Sequence, residues 1–308
     1  MSTKIDSISE SGISPICQTC LINQAYSVAD FSKLTPAQTD RVIQMVKIEL
    51  EKSRTVPVLP QHIARFIEDT VNAELGKPHD YDLYAELKEL SNRVSLSYAE
   101  NFQEKINNSD KPLETGMHIA AAGNIIDFGA KSHDSIDLDD ELQSFDAVSF
   151  AHYDIKPLRE KLQTAENLLY ICDNCGEIVF DKLLIQELKK EYPGVQIIAA
   201  VRAKPILNDA TLSDAAFVGL NSVVTVVSSG SIYPGTILSD TNETFQQLFA
   251  KADIIIAKGQ GNFETLLPIA DKRLFFLLRI KCGFMADLSG VSEGDLVLMQ
   301  GFKEETLL

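Results

Sequence analysis

The chain has 308 residues, of which 45% are hydrophobic and 23% are charged, and its formal net charge is −16. This composition is typical of a globular protein with a full core, and the acidic balance argues against nucleic acid as a main partner, because phosphate backbones favour basic surfaces. No apolar run approaches the roughly 20 residues of a transmembrane helix, and no secretory pattern opens the chain, so we expect a cytoplasmic protein without a membrane partner.

The first part of the chain predicts helices. Apolar residues recur at helical spacing over residues 36–52, with Thr35 as a cap, and again over residues 61–75. A longer pattern covers residues 81–106, with Ser91 as the candidate position for a break. We therefore predict a helical N-terminal subdomain over residues 1–112.

From about residue 167, short apolar runs alternate with helical segments. The predicted strands cover residues 168–172, 196–201, 223–227, 253–257 and 275–280, and the predicted helices cover residues 177–191, 211–218, 241–251 and 263–270. Strands rich in Ile and Val and apolar on both faces are typical of a buried parallel sheet. Residues 113–308 are thus predicted to form an α/β core, a parallel sheet flanked by helices, in which 113–149 are hard to place.

Polar residues follow each of the first four predicted strands. They are Asp173 and Asn174 after the first, Arg202 and then Asp209 after the second, Ser229 after the third, and Lys258 after the fourth. Ligands of open parallel sheets bind beyond the carboxyl ends of the strands, so we expect these four loops to form one site.

Two carboxylates and one amide in these loops suggest a cation site. Asp173, Asn174 and Asp209 offer oxygen donors of the kind that Mg²⁺ and Mn²⁺ prefer. Three protein ligands would leave positions open for water and a phosphate oxygen. The alternative is that Asp173 and Asn174 form an ordinary strand-to-helix turn and that Asp209 caps a helix.

The loop after the fourth strand suggests an anion site. Gly259 and Gly261 follow Lys258 and would let backbone amides approach a phosphate at a helix N-terminus. The alternative is a plain glycine-rich turn, because Glu264 stands where a dinucleotide fingerprint has its third glycine. Arg202 and the serines around Ser229 are further candidates for phosphate contacts, or simply surface and turn residues.

Several sequence blocks, in a fixed order, resemble the DUF89 family. They are PICQTC, AAGNIIDFG, CDNCGEIVFDKLL, VRAKPILNDAT, SSGSIYPGT and KGQGNFETL, and they span most of the chain, from about residue 17 to residue 298. The family includes damage-control phosphatases of the ARMT1-like type, and the first two blocks resemble its compact archaeal and bacterial branch.

The resemblance implies a Rossmann-like core behind a helical part, and a phosphomonoester hydrolase that acts on phosphorylated sugars and related small metabolites. It implies a divalent metal, Mg, Mn, Co or Ni, held by Asp173, Asn174 and Asp209. The resulting catalytic candidates are Asp173, Asp209 and Lys258, with water or a carboxylate as the nucleophile. The candidates for substrate binding are Asn124, Asp127, Arg202, Ser229, Lys258, Gly259, Gly261 and Asn262.

The five cysteines do not suggest a disulfide framework, because their number is odd and the expected compartment is reducing. Cys17 and Cys20 have metal-ligand spacing, and Cys282 or Cys175 would complete a cluster if the fold brings them together. The alternatives are a redox role and ordinary packing. Cys172 ends a strand, which favours a core position.

Two other functions fit parts of the pattern. A methyltransferase that uses S-adenosylmethionine on a carboxylate is compatible with a Rossmann-like core, since a fold alone does not decide function. Such enzymes usually carry a glycine-rich loop after the first strand, where this chain has Asp173 and Asn174. A non-catalytic protein that binds a phosphorylated metabolite is the second alternative.

Overall fold

The structure is a computed structural model that describes residues 13–55, 58–123 and 149–301. The predicted substrate-binding residues Asn124 and Asp127 lie outside the described residues. The helices are α1 Pro15–Phe31, α2 Pro36–Lys52, α3 Pro60–Glu74, α4 Ala85–Asn107, α5 Pro112–Ala122, α6 Ile155–Leu162, α7 Glu177–Glu191, α8 Leu212–Phe217, α9 Glu243–Lys251, α10 Gly259–Leu266 and α11 Gly283–Ser289. The strands are β1 Phe150–Tyr153, β2 Asn167–Ile171, β3 Gln196–Val201, β4 Thr225–Ser228, β5 Ile254–Lys258, β6 Leu274–Arg279 and β7 Leu296–Gln300.

The first three helices form a small core of their own. Each begins with a proline, whose fixed φ and missing N–H suit the first helical position. Thr35 caps α2 as predicted, and its side chain and that of Gln38 exchange bonds with the backbone in a capping box. Apolar residues of all three helices, such as Val46 and Ile67, are buried against one another.

The α/β fold with a helical N-terminal part is confirmed. Seven strands form one sheet in the order β1-β7-β6-β5-β2-β3-β4. Strands β2 to β6 are mutually parallel, whereas β7 pairs antiparallel with β6 and parallel with β1. The helices α4, α5 and α7 share one hydrophobic core with one face of the sheet, and α9, α10 and α11 pack on the other. The boundary between residues 112 and 113 stays a prediction.

The strand order changes direction at the centre of the sheet. The chain runs outward from β2 through β3 to β4 and then returns to place β5 on the other side of β2. The carboxyl ends of β2 and β5 therefore flank a switch point, which is where open α/β sheets bind ligands.

Some predicted element bounds were wrong. The helix predicted over 263–270 begins four residues earlier, because extended Lys258 acts as the N-cap and Gly259 takes a φ of 77° that starts the turn. No break occurs at Ser91, since α4 runs unbroken and presents Ser91 and Ser95 to Gly176, whose added Cβ would lie 3.0 Å from Ser95 Oγ. Strand β4 covers Thr225–Ser228, whereas the third predicted strand covered residues 223–227.

Six helices and strands had no specific prediction: α1, α5, α6, α11, β1 and β7. Within residues 13–55, 58–123 and 149–301, none of the helices has both the length and the apolar character needed to cross a bilayer.

Candidate active site at the sheet switch point

Two strand-end loops pair with each other at the carboxyl edge of the sheet. The backbone N–H of Ala210 donates to the carbonyl of Asp173, and that of Cys175 donates to the carbonyl of Asn208, both at 2.8 Å. Asn174 and Asp209 therefore form an isolated antiparallel bridge. This pairing brings together Asp173, Asn174 and Asp209, the three residues predicted as metal ligands.

Each of the three side chains keeps one oxygen outside the hydrogen-bond network of the described residues. The Asn174 amide Nδ2 donates hydrogen bonds to Asp173 Oδ2 at 2.9 Å and to Glu177 Oε1 at 2.7 Å. The Oδ1 of Asn174 is left as an oxygen ligand for a cation. Asp209 Oδ2 accepts from Arg202 at 2.7 Å, and its Oδ1 accepts no hydrogen bond within the described part of the chain. The same holds for Asp173 Oδ1, which lies 3.6 Å from Arg202 Nη2.

The two carboxyl groups lie in a buried place, where ionisation is costly. Burial first, and then the neighbouring charges of Asp209 and Glu177, raise the pKa of Asp173 well above its ordinary value. Burial also raises the pKa of Asp209, although Arg202 opposes the shift. A divalent cation would favour the ionised forms, so the donor set and its electrostatics fit a hard metal ion. Within the described residues, no group of three or more His, Cys, Asp or Glu side chains is arranged around a metal position, so the amide of Asn174 is needed.

Arg202 joins one side of the ligand set to the neighbouring loops. It is 1% exposed and donates to Asp209, to Thr236 Oγ1 at 3.1 Å and to Asn262 Oδ1 at 3.1 Å. Asn262 in turn donates to the carbonyls of Cys172 and Lys258, at 3.2 and 2.6 Å. Arg202 and Asn262, both predicted to bind substrate, here bond to each other and to neighbouring strand-end groups, so they link the loops to α10.

Lys258 lies on the other side, in a buried network with a helix that begins at the site. Its Nζ donates to Asp181 Oδ1 at 2.8 Å and to the carbonyl of Ala120 at 2.7 Å, and it lies 3.6 Å from Glu177 Oε2. Burial alone would lower the pKa of Lys258, but the charges of Asp181 and Glu177 raise it above its ordinary value. Lys258 is therefore a cation at neutral pH.

Asp181 is the fixed partner of that cation. It is fully buried, and its Oδ1 also accepts from the Tyr170 hydroxyl at 2.7 Å. Its Oδ2 is buried and has no hydrogen-bond partner within residues 13–55, 58–123 and 149–301. A chain of contacts runs from Asp181 through Lys258 and Glu177 to Asn174, so this network reaches the ligand set only indirectly.

Glycine is required where the Lys258 loop meets the ligands. A Cβ on Gly259 would lie 1.9 Å from Asp173 Oδ2, and the residue has a positive φ that favours glycine. A Cβ on Gly261 would lie 2.7 Å from the carbonyl of Pro234. These close approaches hold the start of α10 against Asp173 and against the loop after β4.

A helix of the N-terminal part supports the loop that carries Asp209. Arg65 of α3 donates to the carbonyl of Pro205 at 2.8 Å, and Glu68 accepts from the backbone N–H of Leu207 at 2.6 Å. Leu207 has a φ of 47°, an uncommon conformation for a residue other than glycine. The helical part thus fixes a strained turn two residues before a predicted metal ligand.

Glu177 and Asp181 were not singled out from the sequence. They lie four and eight positions after Asp173, at i, i+4 spacing on α7, which places them on one helix face. That spacing of acids after the Asp-Asn pair was the signal available. The predicted Ser229 is buried behind the site, where its Oγ accepts from the backbone N–H of Ser231 at 3.2 Å.

The cysteines fall into two groups. Cys172 is 1% exposed within the core, as predicted, and Cys175 is buried with its Sγ 3.8 Å from the carbonyl of Asp209. Cys17, Cys20 and Cys282 are free thiols that lie together, away from that pair. The structure therefore associates Cys282, and not Cys175, with the N-terminal pair.

Comparisons with known proteins agree with this architecture. The family model described as the damage-control phosphatase ARMT1-like domain matches residues 13–297. A protein named damage-control phosphatase from Pyrococcus horikoshii is 33% identical over 284 residues, covering 92% of this chain and 96% of that protein. One of the same description from Archaeoglobus fulgidus is 31% identical over 292 residues, covering 92% and 98%.

Two further matches are similar in extent. An uncharacterized protein from Methanocaldococcus jannaschii is 34% identical over 297 residues, covering 94% of this chain and 95% of that protein. The crystal structure of a DUF89 family protein from Pyrococcus horikoshii superposes with a TM-score of 0.84 at 32% identity, covering 95% of this chain and 100% of that one.

Proposed function

This chain belongs to the damage-control phosphatase ARMT1-like family, and we propose that it is a metal-dependent phosphatase that hydrolyses small phosphorylated metabolites. The observation that carries the proposal is the pairing of the two strand-end loops, which places Asp173, Asn174 and Asp209 together beside two buried cations. Sugar phosphates and related damaged side-products are the proposed substrate class.

The three ligand side chains would hold one divalent cation, Mg, Mn, Co or Ni, through the oxygens that the described residues leave without hydrogen bonds. When bound there, such a cation polarises a phosphoryl oxygen and neutralises the charge that develops during transfer. Glu177 fixes the orientation of the Asn174 amide by accepting from its Nδ2, so that an oxygen and not a nitrogen is available to the cation.

Lys258 is the proposed contact for a second phosphate oxygen. Among the described residues, two of its three N–H donors have hydrogen-bond acceptors, and it stays protonated because Asp181 and Glu177 stabilise the charge. Gly259 and Gly261 let the start of α10 lie against Asp173 and the loop after β4, so that the N-terminus of this helix, which favours negative charge, begins beside the proposed ligands. Arg202 holds Asp209 and Asn262 in place, which keeps the ligand geometry fixed when substrate binds.

The loop after β2 favours this function over methyl transfer. Residues 173–177 supply two acids, an amide and one glycine, whereas a cofactor such as S-adenosylmethionine usually lies against a glycine-rich turn at that position. The buried carboxylates of Asp173 and Asp209 are suited to a cation and not to a cofactor that carries a carboxylate.

The test is a phosphate-release assay on chelator-stripped protein with sugar phosphates and nucleotides. We expect activity to return with Mg²⁺, Mn²⁺, Co²⁺ or Ni²⁺, and Asp173→Ala to abolish it. Asp40→Ala, at an exposed position of α2, is the matched control and should keep wild-type activity. Full activity of Asp173→Ala after chelation would refute the assignment, and methyl transfer measured in parallel would identify the rival enzyme. A phospho-aspartate trapped by rapid quench would assign the nucleophile to a carboxylate.

A further inference from the structure

Three thiols from opposite ends of the sequence meet outside the proposed active site. Cys17 and Cys20 lie one turn apart at the start of α1, and Cys282 is the N-cap residue of α11. Gln260 bonds both Cys282 and Glu264, and Cys17 and Glu264 line one cavity, so these residues lie around the same carboxylate. None of these groups belongs to the proposed metal and phosphate site.

The surroundings of the thiols are organised by two glutamines. Gln260 of α10 donates to Cys282 Sγ at 3.5 Å and to Glu264 Oε1 at 2.8 Å. Gln61 of α3 donates to the second oxygen, Glu264 Oε2, at 2.7 Å. Cys17 and Glu264 line the same small cavity of about 40 Å³, so the carboxylate is held in a fixed position next to the thiol pair.

The cluster gathers groups that become negative when they ionise. Burial first, then the charges of Cys282 and Glu264, raise the pKa of Cys20. Burial is also the largest influence on Cys17, whose pKa is raised as well, with Glu264, Cys282 and Cys20 all acting in the same direction. A bound cation would relieve the mutual repulsion of these groups and allow the thiols to ionise.

We propose that Cys17, Cys20 and Cys282 bind one thiophilic divalent metal ion of the zinc class, with the carboxylate of Glu264 as the fourth ligand. Two cysteines at C-x₂-C spacing with a third cysteine and one further donor make a tetrahedral set, which this class of ion prefers. Oxygen-preferring ions such as Mg²⁺ would bind the site of Asp173, so the two sites differ in the metal that they select.

Within the described residues no three of these groups are already arranged to hold a metal ion, so binding requires the side chains to move. Cys20 is exposed and Cys17 and Cys282 are only half-buried, so their side chains have room to turn toward a common centre. The bound metal would join α1 to α10, the helix that carries Gly259 and Gly261, and would stabilise the contact between the helical part and the sheet.

The experiment is a titration of the metal-free, reduced full-length chain with Co²⁺, followed by absorption. Thiolate ligands give a sulfur-to-metal charge-transfer band that carboxylate and amide ligands do not give, so the band reports this site alone. We expect the band to saturate at one equivalent, to disappear on addition of Zn²⁺, and to be lost in Cys17→Ser, Cys20→Ser and Cys282→Ser. Cys172→Ala, which removes a thiol elsewhere, and Asp173→Asn should both keep the band.

Stability supplies a second measurement. Zn²⁺ should raise the Tm of the wild type and of Asp173→Asn but leave the Tm of Cys20→Ser unchanged, and circular dichroism verifies that the exposed Cys20 position tolerates the change. Glu264→Gln keeps all three thiols and should weaken Co²⁺ binding about tenfold. Absence of the band in reduced wild type, or its persistence in Cys17→Ser and Cys282→Ser, would overturn the proposal. A disulfide between Cys17 and Cys20 in a protein that binds no Co²⁺ would identify a redox pair instead. Neither result depends on phosphatase activity.

Discussion

The two buried cations beside the ligand set differ in how their donors are used. Arg202 contacts a ligand directly, through Asp209, and its other side-chain contacts go to Thr236 in the loop after β4 and to Asn262 in α10. Lys258 is held by Asp181, whose second oxygen is buried and has no hydrogen-bond partner among the described residues. Arg202 is thus tied to a ligand and to two neighbouring elements, whereas Lys258 is bonded only to groups outside the ligand set within the described part of the chain.

This difference suggests separate roles for the two cations, one that positions the metal ligands and one that contacts the substrate. A side chain with all three of its nitrogens engaged, such as Arg202, fixes geometry and has little freedom to follow a substrate. Within the described residues, the third N–H of Lys258 has no acceptor at hydrogen-bond distance, since Glu177 Oε2 is 3.6 Å away, so it can donate to a phosphate oxygen without losing a bond. We therefore assign positioning to Arg202 and substrate contact to Lys258, and the following predictions test that division.

The largest effect is expected from Asp173→Asn, which removes one carboxylate from the ligand set that both cations flank. Phosphate release should fall by about 10³-fold, the upper range for loss of one group that stabilises developing charge. Kinetics at saturating Mn²⁺, with Asp40→Ala as control, measures it. Activity within tenfold of the wild type would contradict the ligand assignment.

The same variant should make the metal-free protein more stable. The pKa of Asp173 is raised in the folded state, so the stability present below its unfolded pKa is lost as pH rises through the folded pKa. Asp173→Asn removes that loss, so its Tm without metal should exceed that of the wild type at pH 7 and match it near pH 3. A lower Tm at pH 7 would show that the carboxylate stabilises the fold.

The next effect contrasts the two cations directly. Lys258→Met should lower kcat by about 10²-fold at saturating metal, because a contact to the transferred phosphoryl group is lost. Arg202→Met should instead weaken metal binding and lower the free energy of unfolding by about 3–5 kcal/mol, because Asp209 is left buried without its partner. Steady-state kinetics measures the loss of kcat in each variant. Titration calorimetry measures metal binding, and chemical denaturation measures the free energy of unfolding. A loss of stability in Lys258→Met with a selective loss of kcat in Arg202→Met would refute the assigned roles.

A smaller effect is expected at the partner of Lys258. Asp181→Asn removes the negative charge that raises the pKa of Lys258, so that lysine should lose its proton at a lower pH. The alkaline limb of the kcat profile should shift to lower pH, with about a tenfold loss of kcat on that limb. Tyr170→Phe is the matched control, since it removes one hydrogen bond to Asp181, costs about 1 kcal/mol of stability and should leave the limb unchanged.

The smallest effect on activity is expected at Glu68 of α3, which accepts a hydrogen bond from the backbone of Leu207 in the loop that carries Asp209. Burial raises the pKa of Glu68 to about 7. Its ionisation therefore reduces stability progressively as pH rises from about 4.5 to 7, by up to about 3 kcal/mol. Glu68→Gln should flatten the unfolding free energy across that interval, as urea denaturation at several pH values would show. An unchanged slope would mean that Glu68 is not ionised in this range.

The sequence predicted the parallel sheet and its loops because both depend on local patterns. Buried strands are continuous apolar runs, and the residues after them meet at one sheet edge whatever the details of packing. Asp173, Asn174 and Asp209 could be selected for that reason. The strands β1 and β7 were missed: β1 is an edge strand of four residues, and both run antiparallel to the other five strands and so stand outside the strand–helix alternation that was followed.

The hydrogen-bond partners of the residues that support the site could not be predicted from the sequence. Nothing in the spacing of Arg202 indicates that it binds Asn262, 60 positions away, because that contact depends on how the loop after β3 and helix α10 pack at the sheet edge. The role of Glu68 depends on the docking of α3 onto a strained turn at Leu207, which joins parts of the chain 139 positions apart. Long-range packing of this kind leaves no periodic signal.

The central claim is that Asp173, Asn174 and Asp209 hold one catalytic divalent cation. Titration calorimetry of metal-free protein with Mn²⁺, in buffers of different ionisation enthalpy, tests it most directly. We predict one equivalent bound with release of protons, because the pKa of Asp173 is raised before binding, and loss of both binding and phosphate release in Asp173→Asn. Equal Mn²⁺ affinity and undiminished phosphate release in Asp173→Asn and Asp209→Asn would contradict the account.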